Sequence, residues 1–312
     1  MLQLIFKRLL VAIPVLIIVT SLTFFLVRLA PGGPFDSEKA VSPQVLKNLN
    51  EVYNLNAPLY EQYFDYMANA LTGDFGPSFR YPGRSVSEMI LTGLPVTFEL
   101  AFYAIVFAAF LGLIAGIVAA VKKNTALDYI PMAIAMLGIC MPTFLLGPLL
   151  VLIFGLNLEL MPVSGWDPLY EEGDPAWRYK VLPAITLGAA YAAYIARLSR
   201  GGMLETLNQD YVRTARAKGL SEFKVVMVHA IRGGLIPVLA FLGPAIAGLI
   251  GGSFVVETIF QIPGLGRFYV EAAFNRDYTM ILGTTIFFSA LIIFFNLLSD
   301  IAVAIFNPQA RS

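Results

Sequence analysis

The order of hydrophobic and polar residues along the chain is that of a protein that crosses a membrane several times. A helix that spans about 30 Å of hydrocarbon needs roughly 20 mostly apolar residues, because each residue adds about 1.5 Å. Long runs without charged residues recur through the sequence and are separated by polar segments. They predict six spans, at Leu9–Val27, Leu100–Val121, Tyr129–Leu158, Val181–Ala196, Gly233–Val256 and Tyr278–Ser299.

Two of these runs need a closer interpretation. Val181–Ala196 is the shortest run, and it reaches the length of a span if the helix continues past Arg197 toward Arg200 while those side chains extend to the interface. The first run follows Lys7 and Arg8, as a secretory signal would, but it is longer than a signal core and lacks a small-x-small cleavage site. We therefore interpret it as an uncleaved span.

Two long polar segments lie between the predicted spans, an external segment at 31–94 and a loop at 201–232. The external segment begins with the helix-breaking run Pro31–Pro34 and has helical apolar spacing at Tyr60–Leu71. One substantial polar loop, at 201–232, lies among the later spans. The predicted fold class is thus an all-α integral membrane protein with six transmembrane helices. Its parts are an N-terminal helix at 1–30, an external segment at 31–94 and a five-helix core at 95–312.

Charged residues are divided unevenly between the two sides of the membrane, although the formal net charge is zero. With the N-terminus placed in the cytoplasm, the inside segments carry an excess of basic residues and the outside segments an excess of acidic residues. Basic residues are retained on the cytoplasmic side of membrane proteins. Both termini and the 201–232 loop are therefore predicted to be cytoplasmic. The lack of a global basic bias predicts no nucleic-acid partner.

Composition agrees with a membrane protein and argues against an enzyme. Hydrophobic residues make up 58% of the chain, charged residues 13%, and the mean hydropathy is +0.74, whereas soluble domains carry roughly 25% charged residues. A single histidine, His229, and a single cysteine, Cys140, cannot form a His/Cys zinc cluster. A G-x-x-x-x-G-K-[ST] phosphate loop is absent. We expect no catalytic residue, metal site or cofactor in this chain.

A few residues of the spans are candidates for a transport path. Glu99 begins a span, where a carboxylate is costly in hydrocarbon, so it is either an interfacial acid or part of an external gate. Gly248 and Gly252 have the four-residue spacing that lets helices pack closely, and they could also line a wide translocation path. Pro142 predicts a kink within its span.

The polar loop has the pattern of two short helices joined by a turn. Gly219 can take the left-handed conformation that ends a helix, and Ser221 can cap the next one. Phe223, Val226 and Met227 would then share one side of the second helix, at i, i+3 and i+4. From the residues alone, the loop fits a protein partner, a lipid surface or a topology-setting role without any partner.

The stretch DYVRTARAKGLSEFKVVMVHAIRGGLIPVL closely resembles the coupling loop of ABC-importer permeases of the dipeptide/oligopeptide group. FKRLLVAIPVLIIVTSLTFFLVRLAPGGPF resembles the first span of that group, and GDFGPSFRYPGRSV and VVETIFQIPGLGRFYVEAAFNRDY resemble its external segments. The broad importer pattern begins Glu-Ala-Ala, where this chain has Arg213, Thr214 and Ala215. Only Ala215 and Gly219 match that pattern, although R-T-A-R-A-K-G is usual in the peptide group.

The resemblance implies a type I ABC-importer permease in a bacterial inner membrane, a transport subunit rather than an enzyme. A homologous second permease would complete the pore, two ATPase subunits would carry ATP and Mg, and an extracytoplasmic binding protein would deliver oligopeptides. Ala215 and Gly219 would allow close packing at the elbow of the loop. The residues implied in ATPase coupling are Arg213, Ala215, Lys218, Gly219, Leu220 and Phe223.

Two alternatives remain open at this point. An importer of the same family could carry dipeptides, glutathione or nickel chelates instead of oligopeptides. A protein of another class, a membrane scaffold that transports nothing, could use the same basic loop to recruit a cytosolic protein or anionic lipid.

Overall fold

The computed structural model describes residues 2–29, 53–167 and 175–306, which are almost entirely helical. Within those ranges the β-type pairing amounts to one antiparallel bridge, between Pro77 and Ser85. The all-α membrane fold class is confirmed. The predicted break at Pro31–Pro34 lies outside the described residues.

We number the helices in chain order and name two π-helical segments separately. The elements are α1 (Leu2–Leu29), α2 (Leu59–Leu71), α3 (Val86–Val121), α4 (Ala126–Cys140), α5 (Thr143–Leu150), π1 (Val151–Asn157), α6 (Trp177–Leu207), α7 (Asp210–Ala217), α8 (Glu222–Lys224), π2 (Val225–Ala230), α9 (Ile231–Gly234), α10 (Ile236–Gly252), α11 (Phe254–Ile259), α12 (Leu265–Asn275) and α13 (Tyr278–Phe306). The helix predicted at Tyr60–Leu71 is confirmed as α2, and α3 begins at Val86, within the segment assigned from the sequence as external.

Five of the described stretches are long and apolar enough to cross a membrane, and α10 with α11 forms one of them. A further pair, Ala126–Cys140 and Thr143–Asn157, meets the same criteria together but is bent by 109°. The described part of the chain therefore has five continuous candidate spans, and six if the bent pair counts as one. The continuous spans are Arg8–Leu29, Val86–Val121, Trp177–Leu207, Ile236–Ile259 and Tyr278–Ile305.

The bend within the third predicted span lies at Pro142. Met141 and Pro142 both have extended backbone, with ψ angles of 115° and 144°. Proline disfavours the helical conformation of the residue before it, so Met141 leaves the helix. The kink predicted at Pro142 is confirmed, and the two halves of the span diverge strongly.

The fourth span is much longer than its charge-free run. Helix α6 covers 31 residues, from Trp177 to Leu207. The extension of Val181–Ala196 past Arg197 and Arg200 is thus confirmed. Arg197 lies over the ring of Tyr194, with its guanidinium carbon 5.2 Å from the ring centroid, which accommodates this charge on the helix surface.

The chain divides into two compact units, and residues 98–262 with 292–306 belong to the first. Helix α6 is central in it and contacts α4, α9 and α10. A Cβ atom on Gly112 of α3 would lie 2.6 Å from the carbonyl oxygen of Ala192 and 2.8 Å from Cβ of Ile195. Close packing of small residues in lipid is therefore present between α3 and α6.

Of the described residues, 6–29, 53–97 and 263–291 form the second unit. The Ser78 hydroxyl donates to Asp277 at 2.5 Å, and the Tyr81 hydroxyl donates to Glu271 at 2.6 Å. These bonds attach the loop after α2 to α12 and the start of α13. The apolar core of the second unit contains Val86, Met89, Ile90, Leu265, Ala272 and Met280.

Candidate functional site

The polar loop predicted at 201–232 forms two short helical arms at the end of α6. The first arm is α7, and the second runs from α8 through π2 into α9. The arms meet at a tip formed by Lys218–Ser221. The predicted sequence of basic helix, break at Gly219 and second helix is confirmed.

Gly219 shapes the tip through its backbone conformation. Its φ angle is +75°, in the left-handed region. Its N–H donates to the carbonyl of Arg216 at 2.9 Å, and the N–H of Leu220 donates to the carbonyl of Ala215 at 3.4 Å. This pair of bonds is the Schellman arrangement that ends a helix. A Cβ atom on Gly219 would meet no atom of this chain within 4 Å, so within the chain glycine is needed here for its φ angle, and the implied close packing at the elbow stays a prediction.

The two arms are held together by a small apolar cluster. Val212 and Ala215 of α7 are buried with Val225 of π2, and Leu207 at the end of α6 packs against them. Ala215 therefore does allow close packing between the arms. A neighbouring cluster attaches π2 to α6 and to the end of α3. It contains Ala120, Met203, Val226 and Ala230.

The outer side of the second arm exposes large apolar side chains. Phe223 is 75% exposed, and Met227 and Val228 are about half exposed. The sequence predicts that Phe223, Val226 and Met227 share one side of the second helix. This prediction is wrong for Val226, which is buried while the other two are exposed. The helix changes at Val225 to the wider π form, with i→i+5 hydrogen bonds, so the positions that share a face depart from the i, i+3, i+4 rule.

The remaining coupling candidates of the loop differ in their exposure and contacts. Arg213 and Lys218 are exposed, and Arg213 lies 3.5 Å from Asp210 one turn earlier. Leu220 is 36% exposed at the tip. The surface formed by Leu220, Phe223, Met227 and Val228, which we call the apolar face of the loop, thus lies in a loop that also exposes charged side chains. Such a surface, outside the candidate spans, is typical of a protein contact.

Glu99 lies in an ion pair that sequence reasoning missed. Lys180 at the start of α6 donates to it at 2.5 Å, and the indole N–H of Trp166 donates at 3.1 Å. The Lys180 ammonium also lies 4.6 Å from the Trp166 ring. Lys180 is among the few cations next to an apolar run on the same side as Glu99, which is the signal that could have identified it. The pair neutralises a carboxylate that lies within the span Val86–Val121.

The two candidate glycines of α10 have different surroundings. A Cβ atom on Gly248 would collide with the hydroxyl of Tyr191, whereas one on Gly252 would meet nothing within 4 Å. Gly248 therefore lets α10 approach α6, which is the packing interpretation. Gly252 has open space beside it.

A second missed ion pair joins α4 to α6. Asp128 is 1% exposed and accepts two bonds from Arg200, at 2.6 Å and 2.8 Å. The backbone N–H of Asn124 adds a third, at 3.0 Å. Arg200 had been interpreted only as a side chain that extends to the interface. Because Asp128 neutralises Arg200, α6 can continue past this charged residue.

Comparison with known proteins supplies the family. The family model described as "Binding-protein-dependent transport system inner membrane component" matches residues 112–312. A second model, described as the N-terminal part of a binding-protein-dependent transport system membrane component, matches residues 1–101. The two matches together include the loop, α6 and the residues of both ion pairs.

Relatives match along the whole chain. The oligopeptide transport system permease protein OppB of Haemophilus influenzae is 47% identical, and that of Escherichia coli is 43% identical, each over 100% of both chains. The dipeptide transport system permease protein DppB of Bacillus subtilis is 43% identical over 95% of this chain and 94% of its own.

Among solved structures, an inward-facing form of the MetNI methionine ABC transporter is similar in fold. The TM-score is 0.55 at 16% identity, and the match covers 72% of this chain and 97% of the other. The type I importer permease fold implied by the sequence is confirmed. From these matches, the chain belongs to the family of inner-membrane components of binding-protein-dependent transport systems.

Proposed function

We propose that this chain is the pore-forming subunit of an ATP-driven importer of oligopeptides. The observation that carries the proposal is the 43–47% identity, over the full length, to permeases named for oligopeptide transport. Conservation of length means that loop, spans and external segments all have counterparts in those relatives. The exposed apolar face of the loop supports a role as one subunit of a larger transport complex.

ATP hydrolysis is assigned to separate ATPase subunits that carry ATP and Mg. The apolar face of the loop is the proposed contact, with Phe223 as the central side chain that enters an ATPase groove. Exposed aromatic residues surrounded by polar residues often dominate the binding energy of an interface. Arg213 and Lys218 would pair with acidic groups at the rim. Ala215 holds the two arms together, and Gly219 and Leu220 form the tip.

The complete complex is proposed to contain a homologous second permease, two ATPases and an extracytoplasmic peptide-binding protein. The chain would lie in a bacterial inner membrane with both termini in the cytoplasm, in accord with the excess of basic residues on that side. ATP-driven closure of the ATPases would move the loop and α6 together, as one element of a switch between inward- and outward-open states.

For the transport path, we assign different roles to the candidate residues. Glu99 with Lys180 would fasten α3 to the start of α6 in the conformation described, as part of an external gate. Gly252, with free space beside it, is the better candidate for a position along the path. Gly248 would act through packing against Tyr191.

Dipeptide import is the second candidate function, because dipeptide permeases are also 40–43% identical to this chain. Import of glutathione or nickel chelates and the non-transporting scaffold are not favoured over oligopeptide import. Uptake of labelled di-, tri- and pentapeptides by the reconstituted complex tests the proposal. ATP-dependent uptake of the pentapeptide is expected. Uptake of the dipeptide alone would favour the second candidate, and no uptake of any peptide would contradict both.

A further inference from the structure

One guanidinium connects three helices at the tip of the loop. Arg216 of α7 donates from Nε to Oε1 of Glu222 in α8 at 2.7 Å and from Nη2 to Oε2 at 3.4 Å. Its remaining nitrogen, Nη1, donates to the backbone carbonyl of Leu207 at 3.3 Å. The side chain thus reaches the other arm on one side and the last turn of α6 on the other.

The hydrogen bonds of the Arg216 side chain enclose the turn at Gly219. Arg216 precedes Gly219 and Glu222 follows it, so their pairing closes the turn from outside. The carbonyl of Arg216 accepts the N–H of Gly219 at 2.9 Å, which fixes the same turn through the backbone. Without the side-chain bonds, the turn would rest on two backbone hydrogen bonds and the buried cluster of Val212, Ala215 and Val225.

Only arginine has the donor geometry for this arrangement. The guanidinium is planar and presents donors in a fixed fork, so it can bind a carboxylate with two nitrogens and a carbonyl with the third. Lysine has a single ammonium group on a flexible chain and cannot hold both acceptors in fixed directions. The side chains of Arg216 and Glu222 are 40% and 61% exposed, so their pairing contributes little to folding stability.

We propose that Arg216 is a positioning residue that makes the apolar face of the loop move as one body with α6. This inference rests on the proposed function, because it concerns how force from an ATPase enters the permease. An ATPase pushing on Phe223 and Met227 acts on α6 through the buried contacts of π2 with Met203, and a tip that does not bend adds the first arm and the end of α6 to the same body. The bond to Leu207 joins the tip to α6, and the pair with Glu222 keeps the two arms at a fixed angle.

The test uses the whole reconstituted complex with Arg216→Gln, Arg216→Lys and Glu222→Gln. The first readout is the number of pentapeptides imported per ATP hydrolysed. Arg216→Gln is expected to lower this ratio about fivefold or more, while the ATPases still co-purify. Glu222→Gln keeps the Leu207 bond and should lower the ratio of peptide to ATP less than Arg216→Gln does. Arg216→Lys should give a ratio between those of Arg216→Gln and the wild type. The matched control is Lys122→Gln, an exposed cation without an ion pair in the described ranges, which should keep the wild-type ratio.

Hydrogen exchange of the backbone amides at 218–224 is the second readout, and it does not depend on transport. Faster exchange at the tip in Arg216→Gln, with exchange in α6 unchanged, is the expected result. If Arg216→Gln imported as many peptides per ATP as the wild type, or if hydrogen exchange at the tip were unchanged, the inference would be overturned. The proposed function would remain in place. Absence of ATP-dependent uptake in the wild-type complex would overturn both.

Discussion

Asp128 and Arg200 form a bidentate ion pair that joins the start of α4 to the C-terminal third of α6, with bonds of 2.6 Å and 2.8 Å. The carboxylate is 1% exposed and the guanidinium is 28% exposed. Removing one member of a buried pair leaves the other charge without compensation, which is costly. This pair therefore links the first half of the bent helix pair to the helix that carries the loop.

The variant Asp128→Asn tests that link. It should lower the apparent melting temperature of the detergent-solubilised protein, because Arg200 loses its counter-charge at a site of low exposure. The double variant Asp128→Asn/Arg200→Gln should recover part of the loss, since neither charge then remains. A single variant that melts at the wild-type temperature would show that the pair has no structural role.

Substitutions of Gly219 should be graded by their tolerance of positive φ. A non-glycine residue in the left-handed region costs roughly 1–2 kcal/mol, and asparagine is the best tolerated. Gly219→Arg should abolish peptide uptake while membrane insertion remains intact, and Gly219→Asn should retain most uptake. The measurement is uptake per amount of inserted protein. Equal uptake by the two variants would argue against a conformational role.

Phe223→Asp should detach the ATPases without unfolding the permease. Loss of a central aromatic contact typically costs 2 kcal/mol or more, which is roughly a 30-fold weaker interaction. Co-purification of ATPase subunits on the tagged permease is the measurement. Phe274→Asp is the control, because Phe274 is 84% exposed and lies on α12, away from the loop in sequence. Similar ATPase loss in both variants would indicate a non-specific effect.

Glycines of the spans should differ in their tolerance of a side chain. Gly112→Val would place atoms against the backbone of α6, and overpacking of this kind costs about 1–3 kcal/mol or more. Gly252→Ala would enter open space and should leave thermal stability unchanged. The melting temperatures of the two variants in detergent provide the comparison. Equal stability would contradict the close contact between α3 and α6.

The Tyr81–Glu271 bond should make the second unit sensitive to acid. Burial raises the pKa of Glu271, but the hydrogen bonds from Tyr81 and Arg267 outweigh it and hold the pKa below its ordinary value of 4.5. A lowered pKa stabilises the fold above pH 4.5, and this contribution is lost as the pH falls through the folded-state pKa. The hydrogen bond to Glu271 raises the pKa of Tyr81 above its ordinary value of 10.0, so its contribution is present below pH 10 and lost at higher pH.

Thermal unfolding of wild type, Tyr81→Phe and Glu271→Gln from pH 3 to pH 8 measures this effect. The difference between wild type and Tyr81→Phe should be largest near neutral pH and should shrink below about pH 4.5. A difference that stays constant with pH would show that the loss comes from packing alone.

Much of the architecture follows from hydropathy, and what does not follow is explained by contacts distant in sequence. Periodicity predicted α2 and the break at Gly219, because both depend on residues close together in the chain. Lys180 and Glu99 are 81 positions apart, so no local pattern pairs them. Val226 was assigned to the wrong face because a change from α to π geometry leaves no signature in hydrophobic spacing.

The length of α6 has a consequence for where partners bind. At about 1.5 Å per residue, its 31 residues extend about 46 Å, whereas the hydrocarbon layer is about 30 Å thick. Its apolar stretch lies toward the N-terminal end, so most of the surplus follows Ala196, in the part of α6 that leads into the loop. In the proposed complex, a subunit docked on the loop would therefore contact a part of the chain that the hydrocarbon layer does not need to cover. Changing the lipid chain length should leave the attachment of that subunit unaffected.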